Sequence, residues 1–289
     1  MRKSFFLSAV LLLGLAGCGL PQHAAATQTT IDPQASPAPP LSSEAPAATV
    51  KLIFIHHSSG QNWLSSGNGN LGIALNANHY YVTETDYGWD AEPDDNLGDR
   101  TDTVNWPEWF TDAKMPSVYG NDFMATYSNS IADPPGENEI VMFKSCFPNS
   151  EVGSDIADEQ AIYTGLLPYF ANHPEKLFVL VTPPGETEVS SYALTKTLCD
   201  WLADEQNGWL KGYSHGNVAV FDFYCTLSET DSHHRFVDGA VQRVYSSAYD
   251  GISPYHDGDD HPNSTGNQKA TNEFLPWLNV MYNKWKASR

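Results

Sequence analysis

Three short polar clusters in this sequence carry residue types that serve in acyl transfer. The first is His56-His57-Ser58-Ser59, which directly follows an apolar run. The second extends from His256 to Asn263 and places His261 beside several aspartates, and the third, residues 144–150, contains Asn149. A serine hydroxyl, a histidine base held by a carboxylate, and an amide N–H donor are the parts of a serine nucleophile system.

Each cluster also has a simpler interpretation. Ser58 or Ser59 could cap a following helix, because serine is a favoured N-cap residue. The Asp-Gly-Asp-Asp run before His261 offers oxygen ligands for calcium or another metal, although it lacks the spacing of an EF-hand. Cys146 in the third cluster is either a rival nucleophile or an inert buried thiol. The local sequence alone leaves these alternatives open.

The elements that must position these clusters follow from the hydrophobic pattern. Runs such as LIFI and LFVLV are apolar without alternation, which is typical of strands buried on both faces of a parallel sheet. We expect strands at Val50–Ile55, Tyr80–Thr85, Glu139–Phe143, Leu177–Thr182 and Asn217–Phe223, and helices at about Ile156–Phe170, Ser190–Ala203 and Thr265–Lys286. The pattern predicts an α/β fold, a three-layer α/β/α sandwich over residues 49–289. Active sites of such sheets lie at the carboxyl ends of the strands, where the clusters fall.

Taken together, the clusters resemble the blocks of the SGNH (GDSL-type) hydrolase superfamily. LIFIHHSSG is similar to the first block, an apolar strand followed by Gly-Asp-Ser, with His56-His57 in place of Gly-Asp and Ser58 at the nucleophile position. Gly98, with Gly88 as its substitute, matches the glycine of the second block, and Asn149 matches the asparagine of the third.

The fifth block of that superfamily is Asp-x-x-His, often followed by proline, and His261-Pro262 matches it. Gly258 stands where the aspartate is expected, so the resemblance leaves Asp257 or Asp259 as the orienting carboxylate, with Asp260 as a further alternative.

The resemblance implies a flavodoxin-like sandwich and ester hydrolysis without a metal or an organic cofactor. Ser58 would attack, His261 would take its proton, and the N–H groups of Gly98, Ser58 and Asn149 would bind the oxyanion. Two other functions stay open because the first and third blocks depart from consensus. One is a non-catalytic surface lipoprotein that binds glycans, and the other is a glycan hydrolase that uses the aspartates or a metal.

Aromatic residues around the expected site suggest a carbohydrate ester as substrate, such as an O-acetyl group on a polysaccharide. His57, Trp63 and Trp106 are the predicted substrate-binding residues, and Trp89 and Trp109 fall nearby. His233-His234, by contrast, is interpreted as part of a solvated loop.

The amino-terminal segment predicts export. Residues 1–17 have a charged start, a short apolar run and small residues before Cys18, which resembles a lipoprotein signal peptide with Cys18 as the lipidated residue. Residues 18–48 are rich in Pro, Ala and Ser and predict a disordered tether to a membrane. Cys199 and Cys225 are either a disulfide pair or free buried thiols.

The charge balance excludes one class of partner. Lys and Arg total 15 against 35 Asp and Glu, a formal net charge of −20. Such a chain repels the phosphate backbone, so we expect no nucleic-acid partner. The sequence makes no prediction of oligomeric state.

Overall fold

The computed structural model describes residues 40–145, 155–185, 187, 192–249, 251, 253–256 and 258–289. Cys18, Cys146, Asn149 and Asp257 lie outside the described residues, so the predictions made for them stay predictions.

The described residues form a five-stranded parallel sheet covered by helices on both faces. Its strands are β1 (Val50–Ile55), β2 (Tyr80–Thr85), β3 (Ile140–Lys144), β4 (Leu177–Val181) and β5 (Val218–Phe221). Their spatial order is β2-β1-β3-β4-β5, the order of flavodoxin-like folds. The predicted three-layer α/β architecture is confirmed.

Successive residues of β1 enter different cores, which explains the apolar run LIFI over residues 52–55. Phe54 joins the core that is covered by α1 (Ser58–Leu64), α2 (Leu71–Ala77), α7 (Phe223–Ser228) and α8 (Ser264–Ala287). Ile53 joins the opposite core beneath α3 (Trp106–Trp109), α4 (Met115–Tyr119), α5 (Ala157–Asn172) and α6 (Tyr192–Ala203). Because both faces are covered, apolar side chains are favoured at consecutive positions of this run.

A two-stranded antiparallel hairpin adds to this plan and overturns one prediction. It consists of β6 (His233–Val237) and β7 (Ala240–Val244). The expectation that His233 and His234 lie in a solvated loop is wrong, because both lie in β6 and His234 is buried. Its ring stacks on Phe221 with the two centroids 5.3 Å apart.

The packed unit begins earlier than the expected boundary at residue 49. Compact contacts extend from Pro40 to Arg289. The carbonyl groups of Ser42, Ser43 and Glu44 accept hydrogen bonds from asparagine side chains of α8, and Pro46 O is bonded by the ring of His79. The last nine residues of the predicted tether are therefore part of the fold. Within the described ranges, no helix has both the length and the apolar character needed to cross a membrane.

Candidate active site

The structure brings Ser58 and His261 together although 203 positions separate them. Ser58 Oγ lies 2.8 Å from His261 Nε2. Ser58 is the first residue of α1, directly beyond the carboxyl end of β1. In this strand order β2 lies on one side of β1 and the later strands lie on the other, so the crevice between β1 and β3 is the place where open α/β sheets bind ligands.

A short, well-tied loop delivers His261 to this point. His256 and Pro262 form an antiparallel bridge across the loop, and Gly258 turns it at a φ of +103°. Asn263 then caps α8 by accepting the N–H of Gly266 at 3.0 Å. The cap on α8 thus holds the carboxyl-terminal end of the loop, and the bridge holds its two sides together.

Asp259 is the described aspartate that contacts His261. Its Oδ1 lies 3.3 Å from His261 Nδ1 and accepts the backbone N–H of His261 at 2.8 Å. That backbone bond holds the pKa of Asp259 below its usual range. A proton donated from Nδ1 to Asp259 leaves the Nε2 lone pair facing Ser58, which is the tautomer that a general base needs.

Asp260 is engaged elsewhere. Its Oδ1 accepts the hydroxyl of Thr187 at 2.6 Å and the backbone N–H of Thr187 at 2.7 Å. These two bonds lower its pKa and hold the carboxylate toward the loop after β4. Among the described aspartates, Asp259 therefore fits the orienting role better than Asp260.

The two neighbouring serines differ in access. Ser59 is completely buried, whereas Ser58 is partly exposed. Only Ser58 combines access for a substrate with a histidine acceptor. Local sequence could not separate them, because the choice depends on which side of α1 faces the sheet.

The structure corrects the role predicted for Gly98. Its N–H donates to Trp89 O at 2.7 Å, so this group is engaged within its own loop and is not offered to an oxyanion. The substitute, Gly88, likewise donates its N–H to Asp99 Oδ1 at 2.7 Å. A Cβ added at Gly98 would lie 2.2 Å from Asp86 O, so close packing explains why glycine is needed there.

His57 joins this loop to the segment between β1 and α1. Its Nε2–H donates to the carbonyl oxygen of Gly98, and its ring stacks on Tyr87 with the two centroids 4.0 Å apart. His57 itself is buried, but Tyr87 is 59% exposed. An exposed aromatic ring thus lies next to the residue that precedes Ser58.

The substrate-binding role predicted for Trp63 and Trp106 is also corrected. Both side chains are fully buried. Trp63 packs among phenylalanines and donates to Thr271 Oγ1 at 2.9 Å, and Trp106 donates to Ser145 Oγ at 2.9 Å. Neither ring has a face to offer a ligand. Tyr87 is the exposed aromatic that contacts His57. Its position two residues after β2 was the sequence signal that could have placed it near the site.

Sequence reasoning also missed a buried contact between His56 and Glu84 beneath the turn that precedes Ser58. His56 Nε2 lies 2.9 Å from Glu84 Oε2, and the two side chains are 0% and 1% exposed. Glu84 is the register partner of Phe54, and His56 follows Phe54 by two residues. The side chains of all three therefore face the same side of the sheet.

The remaining described thiols are structural. Cys199 and Cys225 are free and buried, which settles their pairing in favour of free thiols. Burial raises the pKa of both thiols, which keeps them protonated and unreactive. Within the part of the chain that the structure describes, no three His, Cys, Asp or Glu side chains are grouped so that they could hold a metal ion.

Comparison with known proteins gives one structural likeness. No protein-family model and no curated protein matches the sequence. A solved structure from Bacteroides fragilis, of a protein proposed to be an acylhydrolase, superposes with a TM-score of 0.45 and 10% sequence identity, over 85% of this chain and 91% of that one.

Proposed function

We propose that this chain is a serine-dependent hydrolase that cleaves an ester. The observation that carries the proposal is the contact of Ser58 Oγ with His261 Nε2 at 2.8 Å, with Asp259 on the other ring nitrogen. A hydroxyl, an imidazole and a carboxylate in this sequence of contacts form a nucleophile, a base and an orienting group.

The reaction divides into acylation and deacylation. Ser58 Oγ attacks the ester carbonyl as its proton moves to His261 Nε2, and His261 then protonates the departing alcohol. Water, deprotonated by His261, releases the acid from the acyl-enzyme. The backbone N–H of Ser58 and the side chain of Asn149 are the proposed donors to the oxyanion, and each such donor contributes about 3 kcal/mol to the transition state.

The substrate proposed for this site is an uncharged ester, with an O-acetyl group on a carbohydrate as the specific case. The net charge of −20 disfavours anionic substrates. Tyr87 supports the carbohydrate, because its exposed ring lies against His57 beside the nucleophile and aromatic faces pack well on sugar rings.

A fluorophosphonate probe with matched serine variants tests the proposed nucleophile. Ser58→Ala should abolish both labelling and hydrolysis of p-nitrophenyl acetate, whereas Ser59→Ala should keep both. The folded state of each variant is checked by circular dichroism. Absence of labelling in the folded parent protein would reject the serine mechanism and favour a binding protein. Hydrolysis that survives Ser58→Ala but is lost on chelation, or on loss of one of the aspartates 257, 259 and 260, would favour a metal-dependent or carboxylate-based hydrolase.

We extend the proposal to location: the chain is exported and anchored to a membrane by lipid on Cys18. The composition of residues 1–17 supports it. Expression in a bacterium with radiolabelled palmitate tests it directly. The parent chain should incorporate label and partition with membranes, and Cys18→Ala should do neither.

A further inference from the structure

A second histidine lies immediately beneath the proposed nucleophile and has no role in the mechanism above. His56 connects β1 to α1 and is fully buried. Its ring packs on Phe54 with the two centroids 4.6 Å apart, and its backbone N–H donates to Thr85 O of the neighbouring strand. The ring is therefore fixed from the sheet side.

Glu84 is held as a carboxylate at the end of β2. Its Oε2 faces His56 Nε2, and its Oε1 accepts the backbone N–H groups of Thr126 at 2.6 Å and Tyr127 at 3.3 Å. Burial raises the pKa of Glu84, but the bonds from His56 and Thr126 outweigh burial and leave this pKa below its usual value. A carboxylate accepts hydrogen bonds only, so His56 Nε2 must carry the proton between them.

The other ring nitrogen of His56 also faces an acceptor. Nδ1 lies 3.2 Å from the carbonyl oxygen of His57, which cannot donate. Both ring nitrogens must therefore carry protons for both contacts to be hydrogen bonds. His56 is then an imidazolium, paired with the carboxylate of Glu84 and donating its second N–H to the main chain.

That carbonyl belongs to the peptide group that ends in the N–H of Ser58. It also accepts the backbone N–H groups of Gly60 at 2.7 Å and Gln61 at 3.1 Å, which begin α1. At Gly60 an added Cβ would lie 2.4 Å from the Cβ of His56, so the first turn of α1 rests on this side chain. His56 thus sets the position of the first turn of α1 above the sheet and contacts the carbonyl of the His57–Ser58 peptide.

We propose that the buried His56–Glu84 pair is the positioning device of the nucleophile: the imidazolium of His56 orients and polarises the His57–Ser58 peptide, so that the Ser58 N–H is a stronger donor to the oxyanion. The inference rests on the proposed serine mechanism and adds a role for two residues that do not touch the substrate. A charged donor on a peptide carbonyl draws electron density from its N–H, and such charge-assisted bonds are stronger than neutral ones.

The pair's cost supports a functional role. Burying two charges is expensive, and a buried ion pair is often no more stable than apolar side chains of similar volume. The sheet could fill this space with apolar residues, as it does at Phe54 and Val82 in the same core. The pair contacts the His57–Ser58 peptide, and an effect on that peptide would explain why the two polar side chains are present.

Glu84→Gln tests the proposal, since the amide keeps the size of the side chain and removes its charge. A neutral His56 ring then suffices, because the amide can donate to Nε2 while Nδ1–H still donates to the His57 carbonyl, so the bond to the peptide stays but loses its charge. We expect kcat for p-nitrophenyl acetate to fall at least about tenfold, a fraction of the loss that follows removal of an oxyanion donor, with KM changed by less than about twofold. The matched control is Glu273→Gln. Glu273 lies on α8, and its carboxylate is 2.6 Å from the ring nitrogen Nδ1 of His233 on β6. The control should keep the parent kcat.

A spectroscopic readout on the parent protein stands independently of activity. The ¹⁵N spectrum of labelled histidine should show both nitrogens of His56 protonated at neutral pH, with assignment by His56→Asn. A neutral His56 ring would overturn the proposal, even if Glu84→Gln fails to fold. An unchanged kcat in folded Glu84→Gln would overturn it while leaving the serine mechanism intact. Loss of the serine mechanism itself appears separately, as activity that survives Ser58→Ala.

Discussion

The buried ring of His234 makes the protein sensitive to acid, and the size of the effect follows from its surroundings. His234 lies in β6 and accepts the backbone N–H of Asp222 at 2.7 Å through Nδ1. Burial lowers its pKa from 6.5 to about 4; nearby Asp222 and Glu273 act in the opposite direction, and Arg243 adds to the lowering. The folded protein therefore keeps this ring neutral over a range in which the unfolded chain protonates it.

The sign and magnitude follow from linkage. Between pH 6.5 and 4 the unfolded state binds one more proton at this residue than the folded state, so the free energy of unfolding decreases as the pH falls. With these two pKa values, lowering the pH from 7 to 5 costs about 2 kcal/mol at this one residue. The full effect, reached below pH 4, is about 3 kcal/mol.

His234→Asn isolates this contribution. The asparagine oxygen can accept the same N–H of Asp222 but does not titrate, although loss of the ring stacked on Phe221 lowers stability at every pH. Urea unfolding at pH 7 and pH 5 should show a loss in the parent protein that is about 2 kcal/mol larger than the loss in the variant. Equal losses in the two proteins would refute the reasoning, because His234 would then protonate equally in both states.

Other substitutions test the site and its supporting loops. Asp259→Asn should lower kcat at least about tenfold by releasing the His261 tautomer, whereas Asp260→Asn should change it little; steady-state kinetics decide. Tyr87→Ala should raise KM for an aryl ester about tenfold, because one aromatic contact contributes up to about 1.5 kcal/mol of binding free energy. An unchanged KM would show that Tyr87 does not contact the substrate. Gly98→Ala should lower the melting temperature, because its Cβ would meet backbone at 2.2 Å, whereas Gly165→Ala, with open space around it in α5, should raise stability by about 0.5–1 kcal/mol. The reverse order of the two melting temperatures would contradict this packing.

The parallel sheet was readable from sequence because its signal is local. β1 and β2 have the predicted bounds, and the run LIFI that indicated β1 is apolar because strands buried on both faces tolerate few polar residues. The placement of Ser58 follows from the same signal, because the residues after a parallel strand face the crevice. The hairpin escaped prediction because only one of its faces is covered. The sequence SETDSHHRFVDG is as polar as a loop, and the burial of His234 comes from α8 and Phe221, far along the chain.

Other features depended on contacts that have no local signature. Trp63 and Trp106 lie in segments that follow strands, where the aromatics of a groove are expected, yet partners distant in the chain enclose both. Gly98 has the residue type of an oxyanion donor, but the direction of a backbone N–H depends on the fold of its loop, and here Trp89 O takes it. Residue type and spacing singled out Ser58 and His261, which the structure brings together, whereas the surrounding donors required coordinates.

Under the proposed function, the polar residues His56 and His57 before Ser58 are better explained as part of a working site than as decay of one. A site released from catalysis would lose polar groups from its interior, because unpaired buried charges destabilise a fold. Here His56 has a partner, Glu84, on the adjacent strand β2, and Glu84 has two further donors in the 126–127 segment. Removing His56 alone would leave the Glu84 carboxylate buried without this partner, at a cost of about 3–5 kcal/mol. The peptide that His56 contacts is the one that carries Ser58.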